Sequence, residues 1–256
     1  METIKGLLLI VIILLSLAAS IDYILELNFL SNIPLVSESE ERSMVVFGEA
    51  NYTNIELKVP AVDNEGNGIV TKLIVQARPG EGRVLTDINQ LFFWVDTQNS
   101  IRVAQRVAQN ITNINISKVD LIYGIETDAQ LIEGPSAGAA LTVATIAALE
   151  NKNINPDVMI TGTIKSDGSI GAVGEVAVKA KAAEDVGTKI FLVPKGQSTY
   201  TYYEPVTECK EYGIPGFYKK YCTTEYKPVY LDLNENSTIS VIEVFNINEA
   251  LQYFLS

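Results

Sequence analysis

"EGPSAGAALTVATIAALE", Glu133 to Glu150, carries a Gly-Pro turn into an alanine-rich apolar run, with one serine at the junction. The run predicts a helix from about Ser136 to Leu149. Pro135 is tolerated in its first turn because that nitrogen needs no intrahelical partner. Ser136 then has two readings. It is either a helix cap at the head of a small-residue stripe (Ser136, Ala139, Ala140, Val143, Ala147), or a nucleophile. Position favours the second reading, since a helix start reached through Gly-Pro leaves backbone amides free to stabilise an oxyanion.

Working outward, strand-like runs precede this helix: "SMVVFGEA", "IELKVPAV" and "GIVTKLIVQARPG", the last two joined by a turn in "NEGNG". "DTQNSIRVAQRVAQNIT" places Ile101, Ala104, Val107 and Ala108 on one helical stripe, with Asn99 or Ser100 as cap. "KVDLIYGI" reads as a strand. "DVMITGTIKSDGSIGAVG" reads as one β-hairpin turning at Asp167-Gly168. A helix from about Glu175 to Val186 ends at Gly187, and "KIFLVP" forms another strand. From about 195 to 230 the chain carries eight tyrosines, three prolines and both cysteines. Aromatics at that density call for burial, so this stretch is expected to be an ordered surface excursion. The strand "STISVIEVF" and the amphipathic helix "NINEALQYFL" close a mixed α/β (α+β) domain without repeats.

Composition removes several kinds of chemistry. The formal charge of −12 argues against a nucleic-acid partner, because a phosphate polymer is repelled. No phosphate-loop or dinucleotide fingerprint occurs, so neither nucleotide nor cofactor is expected. There is no histidine, which excludes Ser-His-Asp and Cys-His catalysis and histidine-based metal sites; no metal is expected. At the start, Lys5 precedes an uncharged run from Gly6 to Ile21. Residues 1–30 are read as a membrane anchor or a cleaved signal, and 31–44 as a polar linker. The domain proper covers 45–256, outside the cytoplasm in either case. Four N-glycosylation sequons, at Asn51, Asn110, Asn115 and Asn236, agree with that side. Cys209 and Cys222 would pair there as a disulfide, with two unpaired buried thiols as the alternative.

Without histidine, a serine nucleophile needs another base, and lysine is the practical choice. Helical spacing separates two candidates. Lys179 shares a stripe with Val176, Ala182, Ala183 and Val186, whereas Lys181 has Glu184 and Asp185 as its i+3 and i+4 neighbours. Lys179 is therefore the core-facing lysine. An exposed lysine is protonated at neutral pH, and only desolvation frees its lone pair. The structural alternative for Lys179 is a stem along an apolar seam with its ammonium in water.

Taken together, "GPSAG", an apolar helix, a Thr-Gly pair and a lysine helix resemble the proteolytic domain of Lon-type proteases. The resemblance is strong from about Leu131 to Pro194 and weaker from about Val46 and in the closing strand and helix. It implies a Ser-Lys dyad, with Ser136 of Gly134-Pro135-Ser136-Ala137-Gly138 as nucleophile and Lys179 as general base, aligned without a gap. It also implies that Thr161, of Thr161-Gly162, holds the lysine. Glu133 stands where the family often has Asp, and Gly174-Glu175 where many members have two glycines. Gly134, Ser136 and Ala137 make up the oxyanion region. The resemblance implies a Lon-like fold, a serine endopeptidase and a homo-oligomeric ring. Because the sequence shows no phosphate-loop motif, the activity is expected to be ATP-independent and directed at unfolded or flexible polypeptides. The competing expectations are a catalytically silent ectodomain that binds through the tyrosine-rich excursion, and a Ser-Lys amidohydrolase with a non-peptide substrate.

Overall fold

The computed structural model describes residues 52–87, 95–127, 134–235 and 237–255. The expected N-terminal segment, the linker, the strand "SMVVFGEA", Glu133 and the sequons at Asn51 and Asn236 begin or lie outside these residues. Among the described residues, no helix is long and apolar enough to cross a membrane.

The first sheet is built from β1 (Thr53–Val62), β2 (Gly68–Pro79), β3 (Val84–Thr86) and β4 (Val119–Glu126), in the order β1-β2-β4-β3. β1 and β2 pair antiparallel from Thr53↔Ala77 to Val62↔Gly68. Ile55, Leu57 and Val59 face inward along β1 while Asn54, Glu56 and Lys58 face water, the alternation of a half-covered sheet. β3, a three-residue strand parallel to β4, gave no signal in the sequence. Helix α1 (Val95–Thr112) begins before both expected caps, so Asn99 and Ser100 lie inside it, with Ser100 buried.

Helix α2 (Gly138–Glu150) is the centre of the domain. Every residue from Gly138 to Leu149 is buried, because the helix touches β1, β2, α1 and the closing helix α4 (Ile247–Phe254). Alanines allow that enclosure: small side chains let neighbours approach on all sides. Tyr123 of β4 is fully buried against α2, its hydroxyl 2.9 Å from Thr145 Oγ1, and burial pushes its pKa up to about 12.

The segment expected as one hairpin divides in two. Its first part, β5 (Val158–Ile160), pairs parallel with β8 (Ile190–Pro194), which also pairs parallel with β11 (Ser240–Val244). Only β6 (Thr163–Ile164) and β7 (Ile170–Gly171) form the hairpin, around Asp167-Gly168. The physical reason is coverage. Residues 158–162 are buried without alternation, as in a parallel strand packed on both faces, so alternating side-chain size there is no sign of an exposed edge. Helix α3 (Val176–Asp185) lies against β1, β2 and β8.

The tyrosine-rich excursion is ordered, as expected, but its aromatics are not buried. It forms one long antiparallel hairpin of β9 (Thr199–Ile214) and β10 (Phe217–Asp232). Cys209 and Cys222 stand opposite each other and are joined by a disulfide. Every residue from 207 to 228 is exposed.

Candidate active site

Ser136 sits in a single 3-10 turn, Pro135–Ala137, that leads into α2, and no side chain caps either this turn or α2. The cap reading of Ser136 therefore fails. Its backbone is what is structurally committed. The Ser136 carbonyl accepts the Gly162 N–H at 2.9 Å, and the Thr161 hydroxyl donates to it at 3.5 Å. The Gly162 carbonyl in turn accepts the Ala139 N–H at 2.9 Å. The turn is thus stitched to the strand end after β5, with Ser136 half-buried and its hydroxyl not used as a cap among the described residues.

This stitching demands close approach. A Cβ on Gly138 would lie 2.8 Å from both Ile164 Cγ2 and the Ile164 backbone nitrogen. A Cβ on Gly162 would lie 2.4 Å from Ile170 Cγ2. Glycine is required at both positions because backbone and core methyls occupy the space a side chain would need.

Lys179 is 5% exposed, on the face of α3 that also buries Val176, Ala180, Ala182 and Ala183. Its amine donates to the Gly174 carbonyl at 3.1 Å. Desolvation lowers its pKa, while the nearby Glu175 carboxylate works in the opposite direction. Lys181 is exposed and pairs with Glu184 at 3.0 Å and Asp185 at 2.9 Å, which raise its pKa. Glu184 also accepts the Thr238 N–H and hydroxyl, and these bonds bring its carboxyl down to about 2. The two lysines thus occupy opposite environments on one helix, as their spacing predicts.

Among the sequence-derived site residues, Gly134, Ser136, Ala137 and Thr161 converge at the α2 turn. Thr161 is fully buried and its hydroxyl points to the Ser136 carbonyl. Among the described residues, no hydrogen bond joins the Ser136 hydroxyl to the Lys179 amine, and Lys179 is held from the Gly174 side instead. Two features were not anticipated. The Gly174 carbonyl is the amine's partner, and Glu175 adopts a left-handed conformation (φ 58°, ψ 34°) directly before α3. The departure from a double glycine at Gly174-Glu175 was the available signal: a position that glycine often fills is one where positive φ is required.

A separate cleft of about 310 Å³ lies between α1, the Asp167-Gly168 turn and the start of α4, lined by Val107, Asn110, Ser169 and Asn246 among others. It does not include Ser136 or Lys179. Among the described residues, no group of three or more Cys, Asp or Glu side chains is placed to hold a metal ion.

The model of the Lon protease (S16) C-terminal proteolytic domain matches residues 98–203. That span includes Ser136, Thr161 and Lys179 and stops within β9. The archaeal Lon protease of Archaeoglobus fulgidus is 25% identical over 201 residues, covering 76% of this chain and 27% of the relative. The archaeal Lon protease of Thermococcus kodakarensis is 27% identical over 156 residues, 57% of this chain and 23% of its own length. The Lon protease of Vibrio parahaemolyticus is 29% identical over 156 residues, 58% and 20% of the two chains. The chain thus spans between a fifth and about a quarter of the length of these three relatives. The mixed α/β fold is consistent with a Lon proteolytic domain, and the similarity supports a serine peptidase.

Proposed function

We propose that this chain is an ATP-independent serine endopeptidase with Ser136 as nucleophile and Lys179 as general base. The observation that carries the reading is the burial of the Lys179 amine on α3 while the Ser136 hydroxyl caps nothing. A neutral amine has two hydrogens and one lone pair. It can keep its bond to the Gly174 carbonyl and still accept the Ser136 proton.

In the proposed step, Ser136 Oγ attacks the peptide carbonyl carbon as its proton passes to Lys179 Nζ. The C–N bond then breaks, and the same proton leaves with the amine product. Water, deprotonated by Lys179, hydrolyses the acyl-serine and restores the hydroxyl. Attack requires the hydroxyl and the amine to come within hydrogen-bond reach, a contact that tightens when substrate binds. Amides of the Gly134–Ala137 turn hold the oxyanion. Because the Ala139 amide is already given to Gly162, that role falls to Ser136 and Ala137. Thr161 fixes the turn through the Ser136 carbonyl and acts on the lysine only indirectly. Glu133, beside the turn in sequence, shapes the approach of substrate or pairs with a lysine.

The proposed substrates are unfolded or flexible polypeptides, whose peptide bonds can reach the half-buried Ser136. In this reading residues 1–30 place the domain outside the cytoplasm, as a retained anchor or a cleaved signal, and the Cys209–Cys222 disulfide suits an oxidising compartment. Assembly into a homo-oligomeric ring is part of the proposal, and the similarity to Lon proteases supports it.

A serine-directed acylating probe and an unfolded protein substrate test the reading together. Ser136→Ala and Lys179→Ala are expected to lose labelling and to lower turnover by at least about 10³-fold. Lys181→Ala should keep both, and ATP should change nothing. Full labelling in Lys179→Ala would remove the lysine from the mechanism. A folded wild-type chain with neither labelling nor cleavage would favour a binding module.

A further inference from the structure

The distal part of the β9–β10 hairpin has a composition unlike the rest of the chain. Its apex is Ile214-Pro215-Gly216-Phe217, with Gly216 at φ 91° in the order Pro-Gly that suits a type II turn. Ile214 is 71% and Phe217 79% exposed, although both are large and apolar. Behind them the paired rungs are Gly213↔Tyr218, Tyr212↔Lys219, Glu211↔Lys220 and Lys210↔Tyr221, closed by the disulfide at Cys209↔Cys222. In a chain of formal charge −12, this segment carries three lysines against one glutamate.

We propose that this tip docks on an anionic lipid bilayer, Ile214 and Phe217 entering the interface while Lys210, Lys219 and Lys220 meet the headgroups. The order of residues along the hairpin matches the order of layers in a membrane surface. At about 3.3 Å per rung, the lysines trail the apex by roughly 7 to 13 Å. That is close to the roughly 5 to 10 Å by which interfacial segments bury their apolar face. Tyr212, Tyr218 and Tyr221 fall between apex and lysines or beside them, where a ring with a polar end is favoured. Tyrosine and lysine occur on both faces of the hairpin, so the tip is suited to enter end-on.

Size and charge choose the occupant. A stable protein interface needs about 800 Å² from each partner, usually on a flat or concave surface. A convex tip of two apolar side chains offers far less. Two tips meeting would also set lysines against lysines. Lipid needs no such area: a few apolar side chains and roughly fivefold in partitioning per lysine near an anionic surface are enough. The disulfide and the Pro-Gly turn hold the tip in shape beforehand, so little order has to be imposed on binding.

The test uses the full chain with Phe217→Trp, read as a difference from the parent, and Tyr226→Trp as a second reporter at mid-hairpin. Vesicles contain phosphatidylcholine alone or with about 30% phosphatidylserine, a strongly anionic surface. With phosphatidylserine present, the F217W emission should move to the blue and be quenched by brominated acyl chains, while Y226W stays water-like. Adding Lys210→Gln, Lys219→Gln and Lys220→Gln to F217W should raise the lipid needed for half the shift by roughly 100-fold. Reading the tip itself keeps the result independent of residues 1–30. The proposal is overturned if F217W ignores vesicles, if both reporters shift alike, or if neutral vesicles act equally well. A shift that grows with protein concentration without lipid would also overturn it, by seating a second copy on the tip.

Discussion

Glu175 holds a left-handed conformation before α3, and its carboxylate strengthens the hold of the Lys179 amine on its proton. Burial of the amine acts the other way and is the larger influence. If Lys179 is the base, only its neutral form turns over substrate, so activity rises with pH as the proton is lost. Glu175→Gln removes the opposing charge and leaves the backbone conformation in place. The rising limb of kcat/KM on an unfolded substrate should then move to lower pH. An unmoved limb would show that the titrating group is not the amine beside Glu175. At this scale much of the site was legible: i+3 and i+4 neighbours alone set Lys179 inward and Lys181 outward. The left-handed backbone at Glu175, which costs about 1–2 kcal/mol, was legible only through the family's double glycine, because a glutamate before a helix carries no local sign of positive φ.

Helix α2 shows what the elements contribute. Its alanines let β1, β2, α1 and α4 close around it, and its first residue touches the backbone of Ile164. Gly138→Ala should destabilise the domain by about 1–3 kcal/mol in denaturant unfolding, since a backbone nitrogen cannot step aside as a side chain can. An unchanged midpoint would mean that the α2 turn and β6 are held less closely than described. Periodicity found the long elements: β1, β2, β4, α2, α3, β8, β11 and α4 all stand near their expected positions. It failed where burial is complete or the element is very short. β5 was misread because alternation has meaning only when one face meets water, and β3 has three residues, too few for any pattern.

For the molecule as a whole, the hairpin and the body have separate sources of order. The body has a packed core, whereas between 207 and 228 the exposed hairpin is held by its own ladder, the disulfide and a 2.8 Å hydrogen bond between the Thr207 and Thr224 hydroxyls. A cross-link over such a loop is worth about 3 kcal/mol, which would shift the melting of a domain this size by roughly 6–12 °C if it supported the core. Replacing Cys209 and Cys222 by serine should instead move the main calorimetric transition by less than about 4 °C, while proteolytic nicking of the hairpin increases. A large shift would show that the hairpin is part of the cooperative core. Burial of its tyrosines was the natural expectation from aromatic density, and it fails because a two-stranded ribbon has no third layer to cover them. The same ribbon exposes two long rims of unsatisfied backbone, the kind of template on which fibrils grow. The α-carbons of Cys209 and Cys222 are 4.0 Å apart, the close spacing of a pair without ladder bonds. Counting from there, Pro205 and Pro228 also fall in such pairs, so each ring nitrogen faces away from its partner strand. Each rim thus lacks one donor where a stacking neighbour would look for it, and the prolines keep the ribbon from polymerising while its side chains stay free.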